Sequence, residues 1–348
     1  MSALPTVTHE YNLREIGSYK NLEIKHASIS KTKANEVLVQ VHAVSLQYRD
    51  LGISLGFYPV GKPGVVPCSD MAGEVVGVGE DVTGWKKGDR VCANFSTDHI
   101  YGDTTEDIIA TSMGGQSPGV LTQFRNFPAH SLVRIPDHLT YEQASTLPCA
   151  ALTAYNALHG PNPIKAGDIV LVQGTGGVSM FGLQFAVAAG ATVIATSSSN
   201  EKLKIAQEYG AKHLINYKET PDWDQEVLKI TNRRGVDHVV EVGGQGTLGK
   251  SINAARIGGS IHIIGFLSGN ATSPGDIIVP TLSKALIIRG IYIGSVAQFK
   301  DMVRLIEANP DETVPIVDKV FEFENAIDAY AYLESQKHVG KVVIRVSK

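Results

Sequence analysis

Ile169-Val-Leu-Val-Gln173, a short apolar run, passes without a break into Gly174-Thr175-Gly176-Gly177-Val178-Ser179, which opens an apolar, alanine-rich stretch from Met180 to Ala189. No other feature constrains the chain as tightly. Strand, glycine turn and helix in that order make the first crossover of a parallel sheet, with backbone N–H groups gathered at a helix start. The first glycine permits the tight turn, the second lets backbone approach a diphosphate, and the positive end of the helix favours the anion. Ser179 replaces the third glycine of the motif and is small enough for close packing, with Gly182 adding clearance. The turn therefore predicts a dinucleotide site at residues 174 to 179. A buried turn that uses glycine for geometry alone is the competing reading.

The pattern around the turn predicts an α/β fold. From about residue 140, short apolar runs (Ile169 to Gln173, Thr192 to Thr196, His213 to Tyr217, Val236 to Val242, Ser260 to Gly265) alternate with helical spacing at Lys202 to Glu208, Trp223 to Thr231 and Thr247 to Arg256. That alternation reads as a doubly wound parallel sheet covered on both faces. Before residue 135 the pattern is mainly β, with Glu36 to Val44 alternating and Gly73 to Val82 a glycine-interrupted strand. A polar stretch from Asn94 to Gly119 reads as a long surface loop and a candidate lid. Ala285 to Ile293 reads as a strand before a helix from Val296 to Ala308, and Lys341 to Val346 as a last strand that returns to the first domain. The expected division is 1–130, with 325–348 returning to it, and 131–324.

Dinucleotide sites selective for the unphosphorylated ribose carry Asp or Glu about 20 residues beyond the turn. Here the chain reads Thr196-Ser197-Ser198-Ser199-Asn200. With no carboxylate to repel a 2′-phosphate, Ser197, Ser198 and the ammonium of Lys202 can bind one, which favours NADPH over NADH. Two other readings of the segment stand beside this one: Ser198 and Glu201 as a capping box, and Glu201 turned toward the ribose.

With 348 residues, 43% of them hydrophobic, the chain can bury two cores. A net charge of -4 and a pI near 6.3 supply no basic surface for nucleic acid, and no lysine-arginine cluster is dense enough to tether a membrane. Neither is an expected partner. The start, Met1 to Glu10, lacks a basic and apolar leader, and Cys68, Cys92 and Cys149 are odd in number and far apart, so a cytoplasmic protein with reduced thiols is expected.

Several further stretches carry a resemblance: Tyr48-Arg-Asp50, Gly73 to Gly79, Gly88-Asp-Arg-Val91, Leu147-Pro-Cys-Ala-Ala-Leu-Thr-Ala-Tyr155, Gly210-Ala211, Gly235 to Glu241 and Gly340-Lys-Val-Val343. With the glycine turn, they make the chain resemble a medium-chain dehydrogenase/reductase of the zinc-independent, quinone-oxidoreductase-like or zinc-type alcohol dehydrogenase-like branch. The resemblance implies a GroES-like, mainly β N-terminal catalytic domain followed by a Rossmann domain. Where zinc enzymes of the superfamily place a cysteine, a His-Glu pair and a second cysteine, this chain has Gln47, Ser69-Asp70 and Cys149, and only Cys92 lies in the structural-zinc lobe. Neither zinc is expected, since a catalytic zinc takes about three protein ligands.

Without a Lewis acid, the easier hydride acceptor is one activated by its own conjugation, an enone, enal or quinone. Hydride then adds to the β-carbon and the enolate is held by hydrogen-bond donors before protonation. The resemblance makes Tyr48 and Thr153 the candidate catalytic groups and places Tyr217 over the adenosine end of the coenzyme. Gly243, Gly265, Phe266 and Leu267 close later strands, where the coenzyme crevice is expected. Gln47, Tyr58, Phe95, Cys149 and Tyr292 are the candidate pocket lining. The strand at Ala285 to Ile293 resembles the edge through which family members pair, so a homodimer is expected. Alcohol or ketone dehydrogenation and a non-catalytic NADPH-binding sensor are the competing functions.

Overall fold

In the computed structural model, which describes residues 4–58, 60–267 and 277–347, the chain forms two compact units. The first comprises residues 1–152, 294–308 and 314–348, and the second 153–293 and 309–313. These limits differ from the expected division. Residues 131–152 belong to the first unit because β7 pairs with β5 there and the turn at Leu147–Ala151 is buried against the same sheet, and the helix Val296–Ala308 also joins it.

In chain order the strands of the first unit are β1 (Val7–Leu13), β2 (Leu22–Ser28), β3 (Glu36–Ser45), β4 (Asp70–Val78), β5 (Arg90–Ala93), β6 (Phe124–Pro128) and β7 (Leu132–Arg134). The second unit contains β8 (Ile169–Gln173), β9 (Thr192–Ser197), β10 (His213–Asn216), β11 (Val236–Glu241), β12 (Ala255–Ile263) and β13 (Ile287–Gly290). Finally β14 (Val317–Glu322) and β15 (Lys341–Arg345) return to the first.

The sheet of the first unit runs β14-β15-β3-β4-β5-β7, with β6 on β3, and β1 pairs with β2 separately. β3 is its spine. Val37, Val39 and Val41 are fully buried, as β-branched side chains on a pleated surface should be. They join Leu13, Phe127, Tyr330 and Ile344 in one core, where each large aliphatic or aromatic side chain contributes about 1.5–3 kcal/mol. As expected, the final strand returns: β15 lies antiparallel to β3, with Val343 opposite Ser45.

The second unit's sheet is parallel throughout, in the order β10-β9-β8-β11-β12-β13. This is the order of a dinucleotide-binding sheet, with its switch point between β8 and β11. The helices Gly177–Ala188, Asn200–Glu208, Trp223–Ile230 and Gln245–Ala254 lie between successive strands.

Three local expectations are corrected. Asn94 to Gly119 is not a surface loop throughout: Asn94, Phe95, Ser96, His99, Ser112 and Met113 are buried, and Glu106–Ala110 is a short helix. Its polar side chains satisfy the segment internally, as in Ser96 Oγ to Ser112 Oγ (3.0 Å) and Asn94 Nδ2 donating to the Ser96 carbonyl (2.9 Å). The strand expected over Ala285 to Ile293 shrinks to Ile287–Gly290, because Ala285 (φ 47°) and Ile293 (φ 50°) take left-handed conformations that end strand pairing. The helix Asn200–Glu208 is capped by Ser199, whose hydroxyl accepts from Lys202 N, so Ser198 is not the capping residue.

Candidate functional site

In the second unit, the predicted dinucleotide residues cluster at the carboxyl ends of β8 to β12. Gly174 sits at φ 73°, where a Cβ is strained. Gly176 is different. Its backbone is extended (φ -77°, ψ 177°), it stands at the N-cap of the helix Gly177–Ala188, and a Cβ built there would meet no protein atom within 4 Å. Neither backbone strain nor internal packing therefore requires glycine at 176, whereas close approach of a ligand to the helix start does. Thr175 is buried beneath the turn, and Ser179 donates to the Gln173 carbonyl at 2.6 Å, tying the first helical turn to the end of β8. Gly177 and Val178, both half-buried, open that helix.

Around this turn, Ser197 ends β9 and is buried, Ser198 and Lys202 are half-buried, and Tyr217 is exposed with its N–H on the Ser197 carbonyl (3.0 Å). Gly243 and Gly265 follow β11 and β12 in a crowded place: a Cβ at Gly265 would stand 2.5 Å from the Val242 carbonyl oxygen, and one at Gly243 would strike Thr247. Phe266 and Leu267 beyond them are exposed. Thr153, in the helix Leu152–Leu158, is buried and its Oγ1 finds no hydrogen-bond partner. Such an orphaned hydroxyl is uncommon enough to need an explanation. Tyr292 is half-buried in the same unit.

The first unit brings together residues that are remote in sequence. Asp70, at the start of β4 and fully buried, accepts on Oδ2 from Gln47 Nε2 (2.6 Å) and from Cys149 N (2.9 Å), while the Ser69 hydroxyl donates to Oδ1. Cys149 lies in a π-helical turn, Leu147–Ala151, the kind of irregular turn that recurs at functional sites. Lys341, from β15, is buried beside this group and donates to the Leu46 carbonyl. Burial pushes the Asp70 carboxyl up to about 7 against the opposing pull of Lys341, and burial together with the Asp70 charge pushes the Cys149 thiol well up. Asp50 accepts from Gln47 N (2.8 Å) and lies 3.7 Å from the Arg49 guanidinium. The rings of Tyr58 and Phe95 flank Arg49, 5.8 and 4.8 Å from its guanidinium carbon. Tyr48 is half-buried at the first position of the helix Tyr48–Leu55 and leans toward Phe57.

A buried acid that titrates near 7 in the native state and near 4 when unfolded holds an extra proton between those values, so it makes stability fall as pH rises through that window. Asp70→Asn keeps an acceptor for Gln47 and Cys149. It should remove up to about 1.4 kcal/mol per pH unit of that decline, read by urea unfolding at about pH 5 and about pH 7. An unchanged slope would place the titration elsewhere.

Two sequence families match the chain: residues 33–137 match one described as "Alcohol dehydrogenase GroES-like domain", and residues 177–308 one described as "Zinc-binding dehydrogenase". A zinc-type alcohol dehydrogenase-like protein of Schizosaccharomyces pombe is 46% identical over 99% of both chains. This chain belongs to the medium-chain dehydrogenase/reductase superfamily. It is an oxidoreductase of that superfamily, with the GroES-like and Rossmann architecture expected from its sequence. An acryloyl-coenzyme A reductase of Metallosphaera sedula is 29% identical over 94% of this chain and 97% of its own. Among solved structures, one titled as a putative alcohol dehydrogenase from Sinorhizobium meliloti superposes with a TM-score of 0.91 at 37% identity, covering 99% of this chain and 100% of its own.

The superfamily's zinc finds a poor fit in this chain. At the positions that resemble zinc ligands stand a neutral carboxamide, a carboxylate engaged on both oxygens, and a thiol that burial keeps protonated. A catalytic zinc takes about three ligands from thiolate, imidazole and carboxylate, so these residues do not fit it. Among the described residues no group of three or more His, Cys, Asp or Glu is placed to hold a metal ion. The three cysteines are unpaired and buried.

Sequence reasoning overlooked two buried charges. Lys341 appeared only as part of the Gly340-Lys-Val-Val343 motif, and Glu241 only as the last residue of a motif on β11. The available signal was the same for both: a charge on a strand must be paired or hydrogen-bonded if that strand is buried. Also unanticipated was the pair His238 and His262, 3.1 Å apart on adjacent strands, whose burial drives His262 down to about 3. No helix among the described residues is long and apolar enough to cross a membrane.

Proposed function

We propose that this oxidoreductase is a zinc-free, NADPH-dependent reductase of conjugated carbonyls, enones or quinones. The observation that carries the reading is the state of the three groups: Asp70 Oδ2 already accepts from Gln47 Nε2 and from the Cys149 backbone N–H, and burial keeps the Cys149 thiol protonated, so the set does not suit a Lewis acid and activation is left to the substrate's own conjugation. The open approach to Gly176 and the first turn of its helix suit a coenzyme diphosphate. A bound nicotinamide would supply the hydride. In this reading Tyr48 donates a hydrogen bond to the enolate oxygen, and the Thr153 hydroxyl, which has no protein partner, donates to the coenzyme. The name of the acryloyl-coenzyme A reductase relative supports a conjugated acceptor. Alcohol or ketone dehydrogenation is the second reading, favoured by the names of the Schizosaccharomyces and Sinorhizobium relatives.

NADPH is supported by the absence of a carboxylate at the end of β9, where Ser197 and Ser198 stand with Lys202 in the next helix. We place a homodimer contact on β13, an edge strand whose Ile287 is exposed.

The test is turnover of full-length protein with NADPH or NADH against a panel of enones, quinones and saturated ketones, with metal analysis of the same sample. Oxidation of NADPH by conjugated acceptors, undiminished by a chelator, is expected, with NADPH at least about tenfold tighter than NADH in fluorescence titration. Stoichiometric zinc together with ketone reduction would overturn the zinc-free reading, and tighter NADH binding the coenzyme preference.

A further inference from the structure

Glu241 ends β11 with no exposed surface, yet its carboxylate is surrounded by donors from three separate segments. Oε1 accepts from the backbone N–H of Gly243 (2.8 Å) and Gly244 (2.9 Å) and from the Thr247 hydroxyl. Oε2 accepts from Gln173 Nε2 (2.8 Å) and from the Ser251 hydroxyl. Gln173 is the last residue before the glycine turn. Its Oε1 accepts from Val242 N (3.3 Å), and its carbonyl is the acceptor for Ser179 in the first turn of the following helix. One continuous network thus runs from the helix start at residues 177 to 179, through Gln173 and Glu241, to the loop after the neighbouring strand.

A carboxylate is strongly penalised by burial unless every lone pair is used, and only an acceptor without protons can serve two consecutive backbone N–H groups and two hydroxyls together. The start of the helix Gln245–Ala254 adds a favourable field for the negative charge. β8 and β11 flank the switch point of the sheet, where the crevice outside the strand ends receives the ligand. We infer that Glu241 is a positioning residue: it locks the loop at 242–244 to the end of β8 and thereby holds the diphosphate turn in its binding shape. This rests on the reading of the glycine turn as the coenzyme site.

The test is titration of the full-length protein with NADPH and with NADH, followed by coenzyme fluorescence, for wild type, Glu241→Gln, Glu241→Asp and Thr247→Val, with thermal melts of each without coenzyme. A glutamine presents protons to at least one donor that the carboxylate accepted, so Glu241→Gln is expected to weaken the preferred coenzyme at least about tenfold. The KM for the oxidising substrate should stay within about twofold of wild type, a split that loss of stability alone would not produce. Glu241→Asp should recover part of the affinity, and Thr247→Val, which removes one donor without changing shape, should cost a few-fold. A folded Glu241→Gln with wild-type affinity overturns the inference; if that variant does not fold, unchanged affinity in Thr247→Val overturns it. Should wild type bind neither coenzyme, the coenzyme reading falls and this inference with it, whereas binding by wild type with unaffected variants removes this inference alone.

Discussion

Gly176→Val is expected to weaken coenzyme binding by at least on the order of a hundredfold while leaving the protein without coenzyme folded. A Cβ at 176 meets no atom of another segment within 4 Å and needs no unusual backbone angle, so the main intrinsic cost is a poorer helix N-cap, about 1 kcal/mol. The same side chain would stand where backbone N–H groups must approach a diphosphate. Gly174→Val is the matched comparison, because φ 73° makes the turn itself resist the substitution and lowers stability as well as affinity. Thermal melts and coenzyme titrations on both variants separate the two kinds of glycine. If Gly176→Val binds coenzyme as wild type does, the turn is a structural bend and the diphosphate is held elsewhere.

Lys341→Met is expected to cost about 3–5 kcal/mol of stability at about pH 8, because it leaves Asp70 buried without the cation from β15. The loss should shrink in acid. Lys341 is the main influence holding the Asp70 carboxyl down, so without it that group rises further above about 7 and is neutral at about pH 5.5, where no unpaired charge remains. Urea unfolding at the two pH values measures the difference. Equal losses at both would mean that the lysine acts through its hydrogen bond to Leu46 and its packed stem, and that the Asp70 charge has little part in it.

Much of the order of elements was legible in advance. Ile169–Gln173 and Val296–Ala308 match the expected boundaries, and the strands at 192, 213 and 236 begin where the apolar runs begin. Fully buried parallel strands announce themselves as unbroken aliphatic runs, and a glycine turn between strand and helix is a local event. Legibility failed where backbone geometry or internal polar bonding interrupted a pattern. Ala285 and Ile293 were read as strand residues, but their left-handed angles cut the strand short, and Asn94, Ser96 and Ser112 were read as solvent-facing although they are hydrogen-bonded in the interior. Ser198 lost the cap to Ser199 by a single position, within the uncertainty of any helix start read from composition.

What the sequence by itself determined is the order of elements, the glycine turn and the superfamily, since each depends on residues a few positions apart whose spacing sets strand, turn or helix directly. Only the tertiary structure decided what surrounds the buried charges. Gln47, Asp70, Cys149 and Lys341 come from four distant segments, and the lysine reaches the others because β15 pairs antiparallel with β3 at Val343 and Ser45. Glu241 likewise meets Gln173 because β8 and β11, 68 residues apart at that contact, lie side by side. Strand neighbours and register are settled by packing the whole sheet, so the partner of a buried charge is a long-range outcome that local spacing does not encode.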